Sequence, residues 1–343
     1  MPYQREAADH LTVLQSFGPP KPTTNPYLVQ LLRAIPSDVR VLTFSWRRAL
    51  LARYDVLHLH WPENLLRSRR LSRTAVRLVL GALLLARCYV TRVAIVQTLH
   101  NHAPHERRSF VERLLLRGFG RTTTRRIALN VADATTYGAT LIRHGHYRDW
   151  YEEYDVPPAR PGQLTYIGLI RTYKNVQHLV DVFCDLPGED YRLMVAGNPD
   201  PVSLGDGLRV SAARDHRVEL RLGYAEESEL ADIIGHASLI VLPYTEMNNS
   251  GAALLALSLG RPVLVPSAPS NTALALEVGE PWVQQYDGPL TTAVLHAALT
   301  EIPTDTRLRP DLSRREWGPA GAAHRDVYAA AADAKRAGRR SRR

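Results

Sequence analysis

Short apolar runs alternate with longer amphipathic stretches along most of the chain. The short runs are rich in Val, Ile and Leu and are bounded by Gly, Pro or polar residues, which predicts buried strands. The stretches between them have apolar residues at helical spacing. This alternation predicts an α/β protein with parallel strands joined by right-handed crossovers. The predicted strands are residues 11–17, 39–44, 55–61, 93–99, 126–131, 164–170, 191–196, 218–222, 239–243, 263–266 and 282–285.

Helices are predicted between these strands. The first begins at Asn25 and Pro26, where Asn is a preferred cap and Pro a preferred first helical residue. The others are residues 64–88, 176–186, 226–236, 252–259, 272–278, 290–299 and 320–335.

The length of 343 residues favours two domains. Residues 151–162 are acidic and rich in Pro, as linkers often are. We therefore expect an N-terminal domain over residues 1–150 and a C-terminal domain over 163–318, joined by the linker 151–162. Each is expected to be a Rossmann-like, doubly wound sheet, and the two to face across a cleft. A helix over 319–335 is expected to cross back onto the first domain, before a basic tail over 336–343.

A polar loop within residues 238–267 is the first candidate site. It joins the predicted strand 239–243 to the helix 252–259, and contains Asn249, Ser250 and Gly251. Open α/β sheets bind ligands at the carboxyl ends of their strands. The backbone N–H groups at the start of a helix favour anions. We therefore predict a diphosphate site here.

Charge is distributed unevenly along the chain. The net charge is +9, with a balance of +14 over residues 1–150, −10 over 151–330 and +5 over 331–343. Arginines alternate with leucines over residues 64–88, and a second basic cluster follows over 107–126. The basic helix either lies on an anionic membrane surface or packs on the sheet with a solvated Arg face. Nucleic acid is not expected, since no interleaving of basic and aromatic residues is present.

The two cysteines, Cys88 and Cys184, fall in different predicted domains, so a disulfide framework is not expected. The N-terminus has no apolar leader, and the longest apolar run, residues 78–86, is shorter than the roughly 20 residues that span a bilayer. We expect a cytoplasmic protein, with peripheral binding to the inner face of the cell membrane as the alternative to a fully soluble one.

Several motifs resemble known enzymes. Residues 166–171 (YIGLIR), 173–175 (YKN), 196–199 (AGNP), 242–244 (LPY), 249–251 (NSG) and 256–263 (ALSLGRPV) resemble the C-terminal half of GT-B glycosyltransferases. Residues 58–63 (HLHWPE), 98–101 (TLHN) and 104–106 (PHE) resemble bacterial GDP-mannose:glycolipid 4-β-mannosyltransferases and related exopolysaccharide glycosyltransferases. The resemblance implies transfer of a hexose, mannose in these relatives, from a nucleotide-diphosphate sugar to a lipid-linked or glycan acceptor.

The resemblance also implies an N-terminal, acceptor-binding domain and a C-terminal, nucleotide-sugar-binding domain that contains the donor site. Arg171 and Lys174 would neutralise the diphosphate, and the loop at Asn249 would donate backbone hydrogen bonds to it. The candidate donor-binding residues are Gly168, Arg171, Lys174, Asn198, Tyr244, Glu246, Asn249, Ser250 and Gly251.

One departure from the family pattern bears on mechanism. Many retaining members have two glutamates eight positions apart, but the corresponding positions here are Met247 and Leu255. Glu246, one position away, remains a candidate for sugar or ribose hydroxyls. We therefore expect inversion, which needs a base for the acceptor hydroxyl.

The base is expected after the third or fourth strand of the N-terminal domain. The candidates are Glu106 and Glu63, with His100 or His105 as the partner of the base or as a phosphate contact. His58, His60, His100, His102 and His105 also leave a zinc site open. No Asp-x-Asp pair is present, and we expect neither a metal nor a cofactor.

Two other functions are consistent with the sequence. A nucleotide-sugar epimerase shares the two-domain fold but would leave the basic helix unexplained. A non-catalytic nucleotide-sugar-binding partner protein would keep the phosphate loop and lose the base.

Overall fold

The computed structural model describes residues 10–68, 70–100, 109–279, 281–302 and 308–340. The chain forms two compact units. Unit 1 contains residues 1–145 and 316–343, and unit 2 contains residues 146–315. The segment 151–162, which the sequence suggests as a linker, lies within unit 2.

The elements alternate between strand and helix through most of the chain. The strands are β1 (Leu11–Gln15), β2 (Val39–Leu42), β3 (Val56–Leu59), β4 (Ala94–Leu99), β5 (Arg125–Ala128), β6 (Thr140–Leu141), β7 (Gln163–Ile167), β8 (Arg192–Gly197), β9 (Val218–Leu222), β10 (Leu239–Val241), β11 (Val263–Pro266) and β12 (Val283–Tyr286). The helices are α1 (Pro26–Ala34), α2 (Trp46–Leu51), α3 (Pro62–Leu66), α4 (Leu71–Thr91), α5 (Phe110–Thr122), α6 (Val131–Tyr137), α7 (Arg148–Tyr151), α8 (Val176–Cys184), α9 (Ser203–Ala212), α10 (Glu227–His236), α11 (Gly251–Ser258), α12 (Pro269–Val278), α13 (Thr292–Thr300) and α14 (Trp317–Arg340).

Each unit contains one parallel sheet of six strands. The order in unit 1 is β2-β1-β3-β4-β5-β6, and in unit 2 it is β12-β11-β10-β7-β8-β9. In unit 1 the chain reverses its direction across the sheet between β1 and β3, and in unit 2 between β7 and β10. Such switch points are where doubly wound sheets form ligand crevices. Both switch points are therefore candidate positions for a functional site.

The observed elements differ from the predicted ones in several places, and α2, α5, α6, α7, α9 and β6 have no predicted counterpart. The basic segment 64–88 is two helices, α3 and α4, because the chain is extended at Arg67 and Arg70. Helix α9 lies between β8 and β9, where no helix was predicted. Helix α14 extends from Trp317 to Arg340, so it starts before the predicted boundary and includes most of the predicted basic tail.

Helix α14 packs on unit 1, although it is the last element of the chain. Its buried Val327, Tyr328 and Ala331 join the core that contains Val13 of β1 and Leu31 of α1. A Cβ atom added at Gly321 would lie 1.9 Å from the Ala34 carbonyl oxygen, so the backbones of α1 and α14 are in close contact there. Unit 1 is therefore completed by residues that lie more than 170 positions away in sequence from Gly145.

Candidate functional site

The switch point of unit 2 brings two loops together. One follows β7 and contains Gly168, Arg171 and Lys174; the other follows β10 and contains Tyr244 and residues up to Gly251. The backbone N–H and the hydroxyl of Thr245 both donate to the Tyr173 carbonyl oxygen, at 2.8 and 3.0 Å. The two loops that the sequence predicts to bind the diphosphate are therefore joined directly by hydrogen bonds.

Lys174 and Tyr244 form the centre of this contact. The Lys174 Nζ atom donates to the Tyr244 hydroxyl at 3.1 Å and lies 4.6 Å from the centre of its ring. Burial, and secondarily the nearby Arg171, lower the pKa of Lys174 from 10.5 to about 8. An anion at this position would favour the charged ammonium, because an opposite charge offsets the cost of burial.

Arg171 lies beside Lys174 and is paired with a carboxylate. Its Nη2 atom is 3.1 Å from Oδ2 of Asp200, and both side chains are more than a third exposed. A Cβ atom at Gly168 would lie 3.4 Å from Lys174 Nζ, and the Gly168 φ of +117° favours glycine. Asn198 accepts the Ile170 N–H through its carbonyl oxygen at 2.9 Å, while its side chain is exposed. Gly168, Arg171 and Lys174 therefore lie close together in the loop after β7. Asn198 holds this loop through a backbone hydrogen bond.

Helix α11 starts at the same place. Ser250 is its N-cap, and the Ser250 hydroxyl accepts the Ala253 N–H at 3.2 Å. Tyr244 also bonds the side chain of Ser250. The first N–H groups of a helix have no partner within it, so the start of α11 offers donors close to the Lys174 ammonium. Glu246 is exposed in the loop before this helix, and Asn249 is partly buried.

Sequence reasoning did not identify Tyr147. A Cβ atom at Gly251 would lie 3.3 Å from the Tyr147 hydroxyl oxygen, so this phenol lies against the start of α11. Burial, and then the nearby Glu227, raise the Tyr147 pKa, so the hydroxyl keeps its proton at neutral pH. No local signal marks this residue, since it lies about 100 positions before the helix.

A cavity of about 510 Å³ adjoins the two loops. It shares Tyr244 and Thr245 with them, and extends past the carboxyl ends of β11 and β12 to Asp287. Its volume is within the range of small-molecule sites. The residues at the end of β12 were not predicted to line a site, because a single exposed carboxylate in a turn gives no sequence signal.

The switch point of unit 1 gathers a different set of side chains. His60 follows β3 and His100 follows β4, and His60 Nδ1 lies 3.2 Å from His100 Nε2. The His100 ring stacks on Trp61, with 4.0 Å between ring centres. Glu63 is the second residue of α3 and is partly buried. The predicted residues His105 and Glu106 lie outside the described residues, so the structure places only His100 and Glu63 of the four catalytic candidates.

The predicted histidines do not form a metal site in the described part of the chain. There, no group of three or more His, Cys, Asp or Glu side chains has the arrangement of metal ligands. His58 and His60 are fully buried and hydrogen-bonded to neighbouring side chains. His102 and His105 lie outside the described residues.

Helix α4 has an unusual surface for a crossover helix. Val76, Val79, Leu83 and Val90 are each more than half exposed and follow one face of the helix, and Leu71 is exposed at its first position. Within the described residues it is the one helix whose length and composition would let it cross a bilayer. However, Leu84 and Cys88 on its other face belong to the core of unit 1.

Comparison with known proteins identifies relatives over nearly the whole chain. No protein-family model matches it. The GDP-mannose:glycolipid 4-beta-D-mannosyltransferase of Xanthomonas campestris pv. campestris is 44% identical over 324 residues, which are 94% of this chain and 93% of the relative.

Solved structures confirm the fold. Anabaena HepE in complex with UDP and glucose is 15% identical, with a TM-score of 0.58 over 92% of this chain and 94% of HepE. Sucrose-phosphate synthase from Thermosynechococcus elongatus is 16% identical, with a TM-score of 0.59 over 97% and 98%. This likeness confirms the predicted GT-B fold class. The 44% identity to a named mannosyltransferase confirms the predicted enzyme class. The chain belongs to the same family as the GDP-mannose:glycolipid 4-beta-D-mannosyltransferase, and is a glycosyltransferase of the GT-B fold.

Proposed function

We propose that this enzyme transfers mannose from GDP-mannose to a hydroxyl group of a lipid-linked glycan, with inversion at the anomeric carbon. The observation that carries the proposal is the 44% identity, over nearly all of both chains, to an enzyme named for that donor, a glycolipid acceptor and a β-linked product. Nothing in the comparisons favours an epimerase or a non-catalytic binding protein.

The loops of unit 2 supply a chemically suitable site for the donor diphosphate. Lys174, Arg171 and the start of α11 bring two cations and several backbone N–H donors to one switch point. A diphosphate leaves with additional negative charge, which these groups would stabilise in the transition state. We propose that side-chain cations perform this neutralisation in place of a bound divalent metal.

Inversion is supported by the anomeric configurations of the donor and of the product. GDP-mannose is an α-linked glycosyl phosphate, so a β-mannoside requires attack from the opposite face. Such an attack needs a base close to the acceptor hydroxyl. Glu63, at the switch point of unit 1, and Glu106 are our candidates for this base.

We propose that the acceptor is reached at an anionic membrane surface through α4 and α5. The exposed apolar residues of α4 share the helix with the exposed Arg73, and α5 exposes Phe110 and Leu114. Each Arg close to an anionic surface contributes about 1 kcal/mol, and the apolar side chains add their burial. Because the inner face of α4 packs in the core, the helix would lie in the interface plane.

Sedimentation with vesicles tests the membrane proposal. We expect binding to vesicles with anionic lipid, weaker binding in high salt, and loss of binding when Val76, Val79 and Leu83 are all changed to Ser. The matched control changes Val202 and Val210, which are 76% and 72% exposed in unit 2, to Ser. Binding that survives the first set of changes, or that the control set also removes, would exclude α4 as the contact.

Radiolabel transfer tests the enzymatic proposal. Purified full-length protein is incubated with glycolipid extract and a panel of labelled donors that includes GDP-mannose, UDP-glucose and UDP-glucuronate. We expect label in the organic phase from GDP-mannose, also in the presence of a metal chelator. Transfer only from a uridine donor would refute the choice of donor, and release of free sugar without transfer would refute the choice of reaction.

A further inference from the structure

The cavity that adjoins the two loops of unit 2 extends away from them along the edge of the sheet. It has a volume of about 510 Å³ and reaches from Tyr244, after β10, to Asp287, after β12. The strand order is β12-β11-β10-β7, and neighbouring strands lie about 4.8 Å apart. The end of β12 is thus three strand spacings, roughly 14 Å, from the end of β7, which leads to Lys174. The Asp287 end of the cavity is therefore distant from the cations of the diphosphate site.

Tyr286 brings a buried hydroxyl to this cavity. The preceding residue, Gln285, accepts a hydrogen bond from Thr272 of α12, so Tyr286 points to the opposite face of β12. Tyr286 is only 8% exposed, and burial raises its pKa to about 12, so the hydroxyl keeps its proton at neutral pH. Within the described residues this hydroxyl has no hydrogen-bond partner, which is rare for a buried polar group. It is therefore a donor that a ligand in the cavity can use.

The start of α8 adds further polar groups to the lining. His178 Nε2 lies 2.9 Å from the Leu290 carbonyl oxygen, and a carbonyl oxygen can only accept, so Nε2 carries a proton. Nδ1 of the neutral ring is then an acceptor. The Asn175 side chain does not cap α8, and its amide has both donors and an acceptor. The cavity therefore offers donors and acceptors together, which suits hydroxyl groups because each of them both donates and accepts.

The charge of the lining favours an uncharged ligand. Among the described residues that line the cavity, none is Lys or Arg, and Asp287 contributes a carboxylate. A phosphate in this position would meet a like charge without a compensating cation. The rest of the lining includes three prolines and the rings of Tyr244 and Tyr286, an apolar surface of the kind found in small-molecule sites.

We propose that this cavity binds a neutral hexose unit of a glycan, at a site separate from the donor diphosphate. Asp287 and His178 accept hydrogen bonds from the sugar hydroxyls, and Tyr286 donates one. The distance from the end of β7 favours a sugar other than the hexose of the donor. Identifying this sugar as part of the acceptor glycan rests on the transferase function proposed above.

Saturation-transfer NMR of the full-length protein tests the binding of simple glycosides. The probes are methyl β-glucoside, methyl β-mannoside and the charged analogue methyl β-glucuronide. We expect saturation of at least one neutral glycoside, a much weaker signal from the glucuronide, and no displacement by saturating GDP. Absence of binding by both neutral glycosides, or their displacement by GDP, would overturn the proposal.

Two variants assign the binding to the cavity. Tyr286→Phe should raise the Kd of the neutral glycoside about tenfold, the effect of one hydrogen bond. It should not lower the thermal midpoint, because the hydroxyl that it removes has no partner within the described residues. Asp287→Asn removes the negative charge, and should reduce the difference in Kd between the glucoside and the glucuronide.

The matched controls lie at the opposite edge of the same sheet. Tyr191→Phe and Asp190→Asn change the same residue types just before β8, and should leave the Kd of each glycoside unchanged. Equal effects in the controls, or unchanged binding in both cavity variants, would exclude the cavity as the site.

Transfer kinetics connect the site to the acceptor. We expect Tyr286→Phe to raise KM for the glycolipid acceptor while leaving kcat and KM for the donor unchanged. A raised KM for the donor alone would assign the cavity to the donor and overturn the proposal. Glycoside binding by a protein that transfers no sugar would refute the transferase function alone, whereas transfer by a protein that binds no glycoside would refute the cavity site alone.

Discussion

Replacing Lys174 with Met should stabilise the folded protein and weaken diphosphate binding at the same time. Most substitutions that damage a site either leave stability unchanged or reduce it. Opposite signs are expected here because the ammonium is held in a buried position that only an anion makes favourable. The prediction therefore tests whether Lys174 contributes to ligand binding or to the stability of the fold.

The magnitude follows from the pKa. Lowering the pKa of Lys174 from 10.5 to about 8 corresponds to a cost of about 3 kcal/mol for the charged form in the folded protein. The hydrogen bond to Tyr244 and the contact with its ring offset about 1–2 kcal/mol of that cost. Lys174→Met should therefore raise the free energy of unfolding by about 1–2 kcal/mol at pH 7.

The gain in stability should depend on pH. Below about pH 8 the lysine is charged in both states, so its cost to the unmodified protein is fully present. As the pH rises from 8 towards 10.5, the folded protein loses this proton before the unfolded chain does, and the cost disappears. The stability advantage of the Met variant should therefore be constant below pH 8, should fall by about 3 kcal/mol as the pH rises to 10.5, and should change sign within that range.

Denaturant unfolding and calorimetric titration measure the two effects. A charge-assisted hydrogen bond is worth about 1.5–3 kcal/mol, so the Kd for GDP should rise at least about tenfold, while the Kd for guanosine stays constant. Lys21→Met, at an exposed lysine, is the control and should change neither quantity. A variant that is less stable than the unmodified protein, with an unchanged Kd for GDP, would refute the reasoning.

Two further predictions concern single substitutions at the start of α11 and in α14. Ser250→Ala removes the cap of α11, and should lower the free energy of unfolding by about 1 kcal/mol and weaken GDP binding; unchanged values in both denaturation and titration would exclude the cap from the site. Gly321→Ala places a methyl group 1.9 Å from the Ala34 carbonyl oxygen, and should strongly lower the thermal midpoint, whereas Gly318→Ala, in open space on the same helix, should not; equal midpoints would contradict the close packing of α14 on α1.

The sequence predicts the regular elements well where the signals are local. Strands β9 and β11 have the predicted bounds, because Gly, Pro or polar residues flank each strand in the sequence. Asn25 caps α1 as expected, and accepts the Tyr27 N–H at 3.0 Å. Helix α9 was missed because two glycines interrupt its apolar pattern and no side chain caps its start.

The predicted donor loops were found from local patterns, but their mutual contacts were not. Lys174 and Tyr244 lie 70 positions apart, and the strand order alone brings their loops together. Tyr328 is separated from His58 by 270 positions and reaches it because α14 completes unit 1. Contacts of this kind depend on the topology of the sheets, which periodicity and spacing along the chain do not contain.

The most direct test of the proposed reaction is a proton NMR time course. Purified protein is mixed with GDP-mannose and a lipid-linked acceptor, and the anomeric signals are followed. We expect the α-linked signal of the donor to decline while a β-mannoside and GDP appear in equal amounts. An α-linked product, free mannose without a glycoside, or an unchanged donor signal would contradict the account.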